Sequence, residues 1–193
     1  MSRPSDMDTV ERKKMTAEAL VLGLMTHCEK ACQQAFPEFL ETLENESVEH
    51  GISEETLTTL FMADTAMKKA EMYRWYYILS LIVGLMYFFG RSDREVLTAI
   101  YRGIQSAIRE QFKDDIADQA NEAMGSTISI FRKNPYDAYQ TAAMTFLSMI
   151  GYLQHEDSSE AATSETFLNT IKMGFALAIP FVHSVSTESD IIA

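Results

Sequence analysis

The apolar positions of this chain recur mostly every third or fourth residue, the spacing of one face of an α-helix. Leu20, Leu24, Cys28, Ala31 and Ala35 form the first stripe, widened by Val21, Met25 and Cys32. Thr16 is a suitable N-cap for it, and Asp8 with Glu11 forms a capping box upstream. Phe36-Pro37 is expected to break or kink this helix, because proline lacks an N–H and clashes with the preceding turn. Phe39, Leu40 and Leu43 then fall on a short second helix that ends at Gly51. Ser53 caps the next one, with Glu54 and Glu55 in the first turn where the helix dipole favours them. That helix carries Leu57, Leu60, Phe61 and Met67, and the sequence leaves open whether it turns a corner at residues 67–72 or runs straight on.

The pattern changes from Tyr76 to Gly90, fifteen residues without a charge, entered from Arg74 and left through Arg91. A membrane span needs about 20 apolar residues, and shorter runs are usually buried core helices. Extending the run back to Met72 includes Arg74, which could snorkel, and Trp75 with the tyrosines at 73, 76, 77 and 87 resembles an aromatic belt. Three features favour a core helix. Basic residues flank both ends: Lys68, Lys69 and Arg74 before, Arg91 and Arg94 after. The neighbouring helices have polar faces, and their apolar stripes need a partner. Ser80 and Gly84, four apart, permit close helix contact. A hydrophobic homodimer seam is the third reading.

Ser92-Asp-Arg-Glu95 reads as a capping box opening a helix with the stripe Leu97, Ile100, Ile104, Ile108, Phe112, Ile116. Continued through Ala120, Met124 and Ile128, the stripe reaches Phe131, with Gly103 and Gly125 as weak points. Thr127 to Phe131 is the single candidate strand, and a lone strand makes no sheet. Asn134-Pro135 places an N-cap and a proline at the first helical position, for a helix to about Leu153. Residues 155–164 read as a polar loop. A last helix from Glu165 to about Ile179 is expected to stop at Pro180, with a fraying tail after Phe181. The chain is therefore expected to be all-α, a compact orthogonal or irregular bundle of about six to seven helices around a central hydrophobic helix. One domain over residues 1–193 is expected, with loose ends at about 1–8 and 184–193.

Composition supports this picture: 47% apolar residues suit a folded core, and eight Gly and four Pro leave few tight turns for a strand-rich fold. The net charge of -12 argues against direct nucleic acid binding, which needs a positive surface. Cys28 and Cys32, one turn apart on one helix face, are too far apart for a relaxed disulfide and read as small core side chains of a reducing compartment. No apolar run follows the polar start Met1-Ser-Arg-Pro-Ser-Asp6, so a cytoplasmic location is expected.

Asp114-Asp-Ile-Ala-Asp118 has the DDxxD pattern, which on a helix projects Asp114 and Asp118 together with Asp115 beside them. This motif resembles the aspartate-rich metal site of the helical isoprenoid synthases. The resemblance covers five residues and implies a magnesium site orienting a diphosphate. Carboxylates three apart at Glu38, Glu41 and Glu44, at Glu46 and Glu49, and at Asp115 and Asp118 are the arrangement a helical nucleotide pyrophosphohydrolase would use. His27, His50, His155 and His183 lack metalloprotease or di-iron spacing, and no base is identified beside Cys28. Neither a glycine-rich phosphate loop nor a nucleophile elbow is present.

The charge distribution carries more. From Ala31 to Met67 there are eight acidic residues and no Lys or Arg. Glu41, Glu44, Glu49, Glu54 and Glu55 are candidate partner-binding residues, and a counter-charged partner would relieve their repulsion. Arg102 and Arg109, with Arg91 and Arg94, form the basic counterpart, either as internal salt bridges or as a docking patch. Tyr136, Tyr139 and Tyr152 border a further surface, and the twelve methionines suit adaptable contacts. The expected function is a non-enzymatic protein–protein interaction module, an adaptor, chaperone-like subunit or inhibitor, using an acidic surface and an apolar helix face, without a cofactor. The alternatives are a magnesium-dependent enzyme through Asp114, Asp115 and Asp118, and an acidic nucleic-acid mimic.

Overall fold

The computed structural model describes residues 12–62, 65–89, 93–112 and 114–193. Thr16 accepts a hydrogen bond from the Ala19 amide at 3.1 Å and starts α1 (Ala17–Glu49). Leu20, Leu24, Cys28, Cys32, Phe39 and Leu43 form its buried stripe. The expected break at Pro37 does not occur, and α1 runs through it. Proline removes one backbone bond, while the flanking rings fasten the helix: Phe36 meets Tyr73 edge-on at 5.4 Å and Phe39 stacks on Tyr76 at 4.5 Å. Gly51, at φ +79°, turns the chain out of α1. Ser53 caps α2 (Glu54–Leu57), which continues into a π turn at Thr58–Met62.

α3 (Thr65–Phe89) passes straight through the polar 67–72 segment and becomes the axis of the bundle. Every residue from Trp75 to Met86 is buried, so one chain covers all sides of the central run. α1, α5, α6 and α9 all pack on it. At about 1.5–3 kcal/mol for each large apolar side chain removed from water, this helix supplies much of the driving force for folding. Gly84 lets the chain approach closely, since a Cβ there would lie 2.7 Å from that of Ala178. Among the described residues, two helical runs are long and apolar enough to cross a membrane: Ala66–Phe89, with 78% of its most apolar window buried, and Glu165–Glu188, with 33%.

α4 (Arg94–Gln111) is capped by Asp93, whose carboxylate accepts from the Glu95 amide at 2.7 Å; Ser92 and Gly90 lie outside the described residues. Its buried face is Val96, Ile100, Ile104 and Ile108, with Leu97 at the edge of the expected stripe. The stripe does not continue as one helix. Phe112 is extended, with φ -120° and ψ 160°, and α5 (Asp114–Phe131) begins anew. Thr127 to Phe131 is the end of that helix, not a strand. Asn134 caps α6 (Pro135–Met149), as expected, accepting from Tyr136 at 3.1 Å.

A 3-10 turn at Tyr152–Gln154 leads to α7 (Glu156–Ala161), then to α8 (Glu165–Gly174), a second 3-10 turn at Phe175–Ala178, and α9 (Ile179–Glu188). Pro180 does not end the helical path; it sits in the first turn of α9, where its missing N–H costs nothing. With Glu165–Glu188 taken as one rod, the described residues form an irregular all-α bundle of eight helices around α3. Residues 184–193, expected as a loose end, carry the end of α9 and a strand. β2 (Ser189–Ile192) pairs in parallel with β1 (Lys13–Thr16), Lys13 opposite Ser189. Arg12 fastens the pair, donating to the carbonyls of Ser186 and Ser189 and meeting Asp190 at 3.0 Å.

Candidate functional site

Two charged regions stand on this frame. The first is the acidic end, where α1 passes through the Gly51 turn into α2. Spacing places Glu41, Glu44 and Val48 on one face of α1. Val48 is 56% exposed, an apolar residue on the same face as these carboxylates. Glu41, Glu49, Glu54 and Glu55 are exposed and Glu44 is half-buried. Among the described residues none of these five forms an ion pair with Lys or Arg.

Hydrogen bonds beneath this surface fix its shape. The Ser53 amide donates to Asp157 Oδ2 at 2.9 Å and the Thr56 hydroxyl to Oδ1 at 3.2 Å, tying the start of α2 to α7. Those bonds, led by the one from the Ser53 backbone, hold the Asp157 carboxyl down at about 2. His50 Nδ1 donates to the Glu46 carbonyl at 2.9 Å, so in the neutral ring Nε2 accepts from the Ser164 hydroxyl, also at 2.9 Å. The Glu46 carboxylate lies 3.8 Å from His50 and faces this network. Ser47 and Tyr152 share a buried hydrogen bond of 2.7 Å, and Tyr152 stacks on Phe167. Tyr152 is thus an interior residue and Tyr139 is half-buried; Tyr136 is exposed, bonded to Glu165 at 2.9 Å.

The second region is a recess of about 390 Å³ where α4 and α5 lie side by side and the end of α3 surfaces between them. Arg94 and Arg102 come from α4 and Arg132 follows α5. Phe89, Leu97 and Ile128 supply apolar lining, and the Arg132 guanidinium sits over the Phe89 ring, 5.3 Å from its centroid. Gly125 keeps one wall low, because a Cβ there would find only the Tyr101 hydroxyl, at 3.8 Å. Among the described residues no carboxylate pairs with Arg94, Arg102 or Arg132. Arg109 lies elsewhere, 3.6 Å from Asp118 in an exposed pair that contributes little. Arg109 is thus paired within the chain, Arg102 has no carboxylate partner among the described residues, and Arg91 lies outside them.

Arg132, Gly125 and Val48 escape the sequence reading. The two adjacent aspartates at the start of α5 could have revealed the first two, since an acidic pair after Phe112 marks a first turn. A new helix there folds back along α4 and brings Arg132 to the Arg94 end.

The candidate magnesium residues Asp114, Asp115 and Asp118 lie at the start of α5. Asp114 and Asp115 occupy the first turn of α5, where they complement its dipole, and all three are exposed. Among the described residues no group of three or more His, Cys, Asp or Glu could hold a metal ion. Cys28 and Cys32 are free and buried. Burial pushes the Cys32 thiol up to about 11, against a smaller downward pull from Ser80. Burial and the neighbouring Cys32 push Cys28 higher, so both are protonated thiols at neutral pH. His27 bonds the Leu177 carbonyl at 3.2 Å and stacks on Phe181, and His183 meets the Tyr87 hydroxyl at 2.6 Å.

Comparison of the chain with known protein families, with curated proteins and with solved structures finds no match.

Proposed function

We propose that the protein is a non-enzymatic interaction module whose acidic end docks a basic segment of another protein. One observation carries this reading: Glu41, Glu44 and the exposed Val48 share a face of α1 by spacing, Glu49, Glu54 and Glu55 follow across the turn, and none of the five carboxylates has a basic partner among the described residues. An apolar residue flanked by charges of one sign suits a docking surface that selects by charge and anchors by burial. The bonds from Asp157 and His50 hold it in shape before a partner arrives, which lowers the ordering cost of association. The net charge of -12 draws a basic partner from a distance. The apolar run is not part of this surface, because α3 is enclosed from Trp75 to Met86.

The test uses fluorescence anisotropy with a labelled helical peptide that interleaves Lys and Leu. Binding at low salt, weakened by added salt and lost in the combined variant Glu41→Lys, Glu44→Lys, Val48→Asp, is the expected result. Equal affinity for wild type and variant would remove the acidic end from consideration.

A further inference from the structure

We propose that the arginine recess between α4 and α5 binds a small organic anion with an aromatic body and a carboxylate or phosphate head. The site is separate from the acidic end and does not rest on it. In a chain of net charge -12, three guanidinium groups line one recess, and no described carboxylate pairs with any of them. Asp93, next to Arg94 in the chain, is engaged as the cap of α4. The forked donors of arginine match carboxylate and phosphate oxygens, and three of them around one opening suit a head group better than scattered surface charge does.

The rest of the lining selects the body. Phe89 and Tyr101 offer aromatic surface, Leu97 and Ile128 aliphatic surface, and Arg132 already lies over a ring. A flat aromatic group between Phe89 and Ile128 would be covered by apolar atoms while its head met Arg94 and Arg102. The volume of about 390 Å³ falls within the range of small-molecule pockets. Gly125 matters because any side chain longer than a methyl group would grow into this space. The recess is also where α3, enclosed from Trp75 to Met86, returns to the surface with a half-buried Phe89, so a ligand there touches the end of the central helix.

Isothermal titration calorimetry of the full chain tests this with 1-naphthyl phosphate, inorganic phosphate and 1-naphthol. Naphthyl phosphate should bind about tenfold or more tighter than either fragment, because each lacks half of the contacts. Arg102→Glu with Arg132→Glu should abolish binding, and Gly125→Leu, which fills the recess without changing charge, should weaken it about tenfold or more. Thermal melting of each variant separates lost binding from lost folding. Phosphatidylcholine vesicles containing phosphatidic acid form a further arm. Phosphatidic acid has no aromatic ring, so binding to the soluble probe alone agrees with the proposal, and vesicle binding that competes fully with the probe would overturn it. Absent binding, naphthyl phosphate affinity no better than that of inorganic phosphate, or Gly125→Leu binding as tightly as wild type would each overturn it. The last outcome leaves only general charge attraction.

Discussion

The acidic end and the arginine recess are held in shape by different forces. At the acidic end, hydrogen bonds set the backbone: Asp157 grips Ser53 and Thr56, and His50 bridges Glu46 and Ser164. The charges project from the outside of a helix and a turn, open to a large partner. In the recess, packing of apolar faces sets the shape, and the charges stand around a hollow too small for a folded partner. Negative charge on a projecting surface and positive charge around a hollow teach the same lesson: charge names the sign of a partner, and curvature names its size.

The difference is sharpened most by attacking the packing. Ile104 is fully buried on α4, so Ile104→Ala should cost about 2–5 kcal/mol in chemical denaturation and weaken naphthyl phosphate binding with it. Affinity for the basic peptide should be kept wherever the fold persists. An Ile104→Ala protein that loses both bindings equally, while still folded, would erase the distinction.

Charge reversal at the acidic end ranks next. Glu41→Lys with Glu44→Lys should weaken basic-peptide binding about tenfold and flatten its salt dependence, leaving naphthyl phosphate binding unchanged. A smaller effect is expected at Asn121 on α5, whose buried amide has neither atom bonded within the described structure. Asn121→Leu should raise stability by about 1 kcal/mol, read from the denaturant midpoint. Smallest is the Asp157 contribution. Its carboxyl titrates lower in the folded chain than in the unfolded one, so its stabilisation is complete above the ordinary carboxylate range and is lost as pH falls towards about 2. Asp157→Asn should therefore lower stability at pH 7, with the gap to wild type closing across that acidic interval in pH-dependent melting.

How legible each region is follows from the range of the signals involved. Thr16, Ser53 and Asn134 are readable as N-caps because capping is a local chemical demand met by a few residue types. The enclosure of α3 is readable because capped, amphipathic helices on both sides of the uncharged run bring apolar stripes that need a partner. The break at Phe112 is not, since Ile108, Phe112 and Ile116 keep a spacing of four straight across an extended residue. Apolar spacing reports which way side chains face, not whether the helix between them is continuous. The recess depends on that break and stays hidden with it. The acidic cluster is plain from composition, and Val48 falls off the buried stripe of Phe39, Leu43 and Ser47, on the face of Glu41 and Glu44. Lys13 to Thr16 shows no alternation, and its strand state comes from a partner at the far end of the described chain.

That distant partner sets an order of events. Joining β1 to β2 closes a loop spanning nearly every described residue, and so long a loop carries an entropy cost that local contacts do not offset. Docking of α1 and α9 on α3 must first bring the two strands near each other. The clasp is then the last piece to form and the first to open. Amide exchange should be fast at Lys13–Thr16 and Ser189–Ile192 and slow through the middle of α3. With Arg12 as its pin, the clasp works as a latch, closed only when the first and last helices are seated.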